Sequence, residues 1–173
     1  MAHQLVDLAR KTIELYVRQR KVLDVTDVLD DEPKGLLATR AGAFVSLHRQ
    51  GELRGCIGTI EPQQDNLALE IVSNAISAAT RDPRFPPVQL NELDDLDISV
   101  DVLEPPERVA SQEDLDPKVY GVIVEHGGRR GLLLPDLEGV DTAEQQVSIA
   151  LRKGWIDPHE NYRLYRFRVT RYH

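Results

Sequence analysis

The sequence predicts an α+β fold built on a mainly antiparallel sheet. Two pairs of short apolar segments are joined by glycine-bearing turns, and Leu96-Asp97-Ile98-Ser99-Val100-Asp101-Val102-Leu103 alternates with period two. Three other segments carry apolar residues at helical spacing. Hairpins dominate and strict strand–helix–strand alternation is absent, which argues against a parallel sheet.

Taken in order, Leu5, Leu8, Ala9, Thr12, Ile13 and Tyr16 place one buried stripe on a helix over residues 3–20. The acidic stretch Asp24–Lys34, closed by Pro33 and Gly35, reads as a loop or at most a short helix. Ala43–His48 and Leu53–Ile60 read as a hairpin whose turn contains Gln50-Gly51, with glycine available for positive φ. A two-residue turn there would pair Leu47 with Arg54 and Val45 with Cys56. It would set Arg54 and Cys56 on one face of a regular strand and His48 on the other.

Asp65 is the expected N-cap of a helix over 65–81. Leu67, Ile71, Ala75 and Ala78 form one apolar line on it, and Leu69, Val72, Ile76 and Ala79 a second. This wide face of small residues suits close packing on a sheet. Asp82-Pro83-Arg84-Phe85-Pro86-Pro87 then forbids helix. Pro105-Pro106 ends the alternating strand. Val119–Glu125 and Gly131–Leu134 form a second hairpin around His126-Gly127-Gly128-Arg129, Thr142 caps a helix over 143–153, and Tyr162–Thr170 closes the chain as a strand. A helix–strand unit used twice fits this order, although no sequence repeat accompanies it.

The 173 residues suffice for one domain, or two small lobes sharing a core, without disulfides or metal. With 41% apolar and 29% charged residues of both signs throughout, no segment reads as a disordered tail. A net charge of −8 opposes binding to phosphate backbones, so no nucleic-acid partner is expected. The arginines at 163, 166, 168 and 171 read as the wet face of a strand. One cysteine cannot form an internal disulfide, which suits a reducing compartment. The first residues lack the order of a signal peptide, and no apolar run reaches a membrane span. A cytoplasmic protein without membrane contact is the expectation.

That sole cysteine sits in Leu53-Arg54-Gly55-Cys56-Ile57-Gly58-Thr59. Glycine inside a strand costs entropy and packing, so two of them imply a bend or a close approach to the main chain. Together with Asp82-Pro83-Arg84-Phe85-Pro86-Pro87, this motif resembles the AMMECR-type domain family, the family of protein A of the AmmeMemoRadiSam system. Gly121, Leu134-Pro135, Leu151-Arg152-Lys153-Gly154 and Thr170-Arg171-Tyr172 extend the resemblance over nearly the whole chain. It implies a single domain over 1–173 with two unequal lobes, and a cleft between them bordered by the glycine–cysteine strand. It also implies a context shared with a radical S-adenosylmethionine enzyme and a dioxygenase-like protein. No settled reaction, cofactor or oligomeric state comes with it.

Cys56 is the candidate catalytic residue, a thiolate nucleophile or covalent carrier beside positive charge. The plainer alternative is a small buried hydrophobe. Arg54 and Arg84 are candidates for orienting an anionic group in fork geometry, or for ordinary ion pairs. Asp82 is a candidate binding residue whose duller role is to cap or pair with Arg84. Gly55 and Gly58 would admit substrate to the main chain. The five histidines are scattered, without metal-ligand spacing. Gly127-Gly128 reads as a hairpin turn rather than a phosphate loop, and Trp155 as a packing residue. Two functions remain: an enzyme or enzyme subunit acting on a small anionic molecule or a protein side chain, or a non-catalytic binding or adaptor module.

Overall fold

The computed structural model describes residues 1–173, which form two compact units. The first comprises Met1–Leu103 with Thr170–His173, and the second Glu104–Val169. The fold is α+β with two antiparallel sheets, as the strand patterning predicts.

In the first unit, α1 (Gln4–Gln19) and α3 (Leu67–Thr80) pack against a four-stranded sheet, and α2 (Thr26–Asp31) is a single short turn in the acidic segment. The sheet contains β1 (Ala43–Arg49), β2 (Glu52–Thr59), β3 (Leu96–Leu103) and β8 (Val169–Tyr172) in the order β2-β1-β3-β8. Val45 and Leu47 of β1 pair with Val100 and Ile98 of β3, and all four are buried in one core with Leu5, Ile13, Ile71 and Ala75. Alternation then sends Phe44, Ser46 and His48 to the opposite face.

The second unit orders its sheet β4-β7-β5-β6, from β4 (Glu107–Val109), β5 (Gly121–His126), β6 (Arg129–Leu133) and β7 (Arg163–Phe167). Helix α4 (Ala143–Lys153) covers it, burying Val147, Ala150 and Leu151 against Val122, Val124 and Leu164. Thr142 caps α4 as expected, accepting from the Gln145 amide while the Gln145 side chain reaches back.

Several expectations are corrected. The cap of α3 is Asn66, whose Oδ1 accepts from the Leu69 amide, because residue 66 rather than Asp65 holds the extended geometry before the first turn. The closing strand divides into β7 and β8, which belong to different sheets. β4 escapes sequence reading because its three residues are too short for a periodic signal. Trp155 does not pack: it is 85% exposed, on a left-handed residue with φ of 56° just after α4.

The two hairpins share a device. The turns at Gln50-Gly51 and Gly127-Gly128 both place two successive residues at positive φ, the geometry that matches strand twist. In each, the second strand carries a glycine under a helix. A Cβ at Gly55 would fall inside the Ala78 carbonyl oxygen of α3, and one at Gly131 inside the Ala150 carbonyl oxygen of α4. The neighbour in each case is helix main chain, which cannot yield as a side chain would. Gly55→Ala is therefore expected to lower stability by about 2 kcal/mol through overpacking, measured by urea unfolding. Exposed Gly51→Ala would not test this contact, since nothing approaches a Cβ there.

Candidate functional site around Cys56

β2 is the outer strand of its sheet, and a bulge shapes its middle. Leu47 pairs with Gly55 but His48 pairs with Leu53, so Arg54 is the extra residue. The register predicted from a regular hairpin is thereby shifted. Cys56 faces Ser46 rather than Val45, and Leu47 faces Gly55 rather than Arg54. Cys56 consequently shares its face with Ser46 and, two residues along β1, with His48, which the regular register sends to the other side. Ser99 continues the same rung on β3.

Cys56 is half-buried, and its Sγ lies 3.2 Å from Ser46 Oγ. Its main chain points off the sheet edge and is held by the loop after α3. The Cys56 amide donates to Asp82 Oδ2 at 3.0 Å, and its carbonyl accepts from Arg84 Nη2 at 3.4 Å. Ser46 and Cys56 therefore form the rung without main-chain hydrogen bonds between them, where side chains approach most closely.

Asp82 is the hub. It accepts from Arg84 Nε at 3.1 Å, from Arg84 Nη2 at 2.8 Å and from the Arg84 amide at 3.1 Å, besides the Cys56 amide. Its side chain is 2% exposed, whereas that of Arg84 is 56% exposed. The Arg84 guanidinium holds the Asp82 carboxyl well below the usual carboxylate range, helped by the two amides and opposed by burial. The same pairing raises Arg84, to which the nearby Cys56 adds. Of the two roles considered for Asp82, the structural one is present.

Arg54 is not brought to Cys56. Its guanidinium forms a two-pronged pair with Glu92, Nε to Oε1 at 2.8 Å and Nη2 to Oε2 at 3.0 Å. Arg49 reaches the same carboxylate at 3.4 Å. Glu92 also accepts from the Gln89 amide, closing the cap of the 3-10 helix over Leu90–Asp95. Arg54, first among these partners, draws the Glu92 carboxyl below its usual range. The expectation that Arg54 shares a face with Cys56 fails because it assumed an unbulged strand.

The two glycines are accounted for by the protein itself. Gly55 admits the main chain of α3, and Gly58 lies under the Phe44 ring, which a Cβ would strike. Phe44 thus walls the Cys56 face two rungs from the thiol.

Sequence reading missed Ser46, Glu92 and a second anchor at Glu70 and Asn74. Buried Glu70 accepts from Thr59 Oγ1 and from the Gln63 and Gln64 amides, and Asn74 donates to the Ala43 carbonyl and to Thr59. These bonds fix the end of β2 and the segment beyond it. Glu70 and Asn74 stand four residues apart within an otherwise apolar helical face, a signal visible in the sequence.

The AMMECR1 family model matches residues 6–172. The chain belongs to the AMMECR1 family. A Thermotoga maritima protein is 55% identical over 98% of this chain and 97% of its own length. A Clostridium acetobutylicum protein is 51% identical over 96% of this chain, which spans only 35% of that protein. The crystal structure of an uncharacterised Pyrococcus horikoshii protein, PH0010, superposes with a TM-score of 0.82 at 34% identity, covering 96% of this chain and 88% of that one. No helix of this chain is long and apolar enough to cross a membrane.

Asp82→Asn in this AMMECR1-family protein should cost about 2 kcal/mol at pH 7, because a charged acceptor serving several donors is lost. The pH dependence has a definite sign. A carboxyl depressed in the folded state stabilises above its unfolded value and loses that contribution as pH falls through the folded one. In urea titrations the gap between wild type and Asp82→Asn should be open at neutral pH and narrow progressively below about pH 4. A constant gap would assign the effect to shape alone.

Proposed function

We propose that this chain is an enzyme or enzyme subunit in which Cys56 acts on a small anionic substrate or a protein side chain. The observation that carries the reading is the half-buried Cys56 on a strand pinned by Asp82 and Arg84. Asp82 occupies Nε and Nη2 of Arg84, leaving Nη1 on a largely exposed side chain to meet a carboxylate or phosphate. In this reading Cys56 gives up its proton to solvent and its sulfur bonds an electrophilic substrate carbon. The leaving group departs with the electron pair of the broken bond. Ser46 supports the sulfur from its own face. Arg54, bound to Glu92, and Gly55 and Gly58, filled by α3 and Phe44, act as framework rather than as direct binding groups. The proposed context is a modification pathway shared with a radical S-adenosylmethionine enzyme and a dioxygenase-like partner, in the cytoplasm.

A second reading is favoured by one observation: the hydrogen-bonding neighbour of the thiol is a serine, which is no general base. The same face would then serve a non-catalytic binding or adaptor module, holding a ligand or peptide for partner enzymes.

Timed alkylation of the folded protein with iodoacetamide, with Cys56→Ser as the blank, tests the first reading. Cys56 should react faster than free cysteine at pH 7, and Arg84→Gln should slow it severalfold by removing local positive charge. In a reconstituted pathway Cys56→Ser should abolish product. A thiol no more reactive than free cysteine, together with full activity of Cys56→Ser, would leave the binding-module reading.

A further inference from the structure

We propose that the second unit carries a separate binding site for a small anionic molecule, in a groove of about 890 Å³ at the end of the β4–β7 pair. It is independent of Cys56, since the groove is lined entirely by residues 108–112 and 160–164. Its volume falls in the range of small-molecule sites.

The argument rests on which charges are already spent. Glu160 is the only carboxylate in the wall, and it is saturated. It accepts from Arg129 Nη2 at 2.6 Å and from the Asp157 amide at 2.8 Å, with His126 Nε2 at 3.8 Å. Arg129, ahead of the other contacts, holds the Glu160 carboxyl below its usual range, so it stays ionised and paired. The wall arginines are not matched in this way. Arg163 reaches Glu125 Oε2 only at 3.5 Å, while Arg130 stands 3.1 Å from Oε1 of the same carboxylate. Arg108 makes no ion pair: Glu107, the preceding residue of β4, points to the other face of the strand, where Arg166 holds it at 2.7 Å.

Neutral donors complete the lining. The Asn161 side-chain amide, the Tyr162 hydroxyl and the Gln112 amide have no hydrogen-bond partner, while the Asn161 carbonyl is fixed by His126 Nδ1 at 2.8 Å. These donors, beside Arg108 and an Arg163 whose one ion pair is long at 3.5 Å, suit a carboxylate or phosphate. Tyr162 and Val109 add apolar surface for the body of such a ligand.

Isothermal titration of the full chain with citrate and, separately, with pyrophosphate tests this and separates the two anion chemistries. Saturable binding of either is expected, with loss of about tenfold in affinity in Arg108→Gln and in Arg163→Gln. It should weaken as salt is raised. Arg152→Gln, an exposed arginine on α4 outside the groove, should bind as wild type. Alkylating Cys56 should also leave binding unchanged, so a failure of the Cys56 proposal would not touch this one. Absence of saturable binding by both anions at millimolar concentration, or an equal loss in Arg152→Gln, would overturn the proposal.

Discussion

The arrangement around Cys56 depends on one close approach, that of α3 main chain to Gly55. Because residue 55 has no side chain, the Ala78 carbonyl sits against β2. Helix α3 ends at Thr80, so Asp82 emerges beside the next residue of the same strand. Any larger residue at 55 would lift the end of the helix away from the strand and carry Asp82 with it. The hub, the arginine it orients and the pinned thiol all follow from that one missing methyl group. The contact of Gly131 with Ala150 repeats the packing in the second unit, where no cysteine or Asp-Pro-Arg segment stands nearby.

The Asp82–Arg84 loop also resolves a problem that β2 poses as an outer strand. Exposed amides and carbonyls on a sheet edge invite pairing with another chain. Here the outward amide and carbonyl of Cys56 are both occupied by side chains from within the unit. Pro83 and Pro86 flank the arginine and limit the conformations the loop gives up on docking. The bulge at Arg54 adds a second interruption, and the two-pronged bond to Glu92 holds it in place. Glu92 in turn caps the 3-10 helix that leads into β3, so the outer strand and the inner one are tied by a single carboxylate.

Most of the fold was legible in the sequence because periodicity and turn chemistry report directly on it. The three long helices, both hairpins and the alternating strand β3 stand where their apolar patterns place them. The Thr142 cap and the glycine turns are local signals, complete within a few residues. The motif pair that marks the site was legible too, and the salt bridge of Asp82 to Arg84 follows from their spacing. The register was not. A bulge is one residue of slippage; Gly55 signals an irregularity without fixing its position, yet that position reverses which side chains meet. Arg54 found its acid 38 residues away, and Ser46 met Cys56 across a strand pair. Such partners are chosen by tertiary geometry, which pattern reading does not reach. Trp155 fails for a related reason: its exposure follows from a left-handed turn after α4, not from its hydrophobicity.

The clamp on Cys56 grips peptide groups and leaves the sulfur alone. Position 56 is thus held by its backbone whatever atom caps the side chain. Scaffold and sulfur are decoupled there, and any adduct placed on the sulfur would ride on a support that need not reorganise to accept or release it.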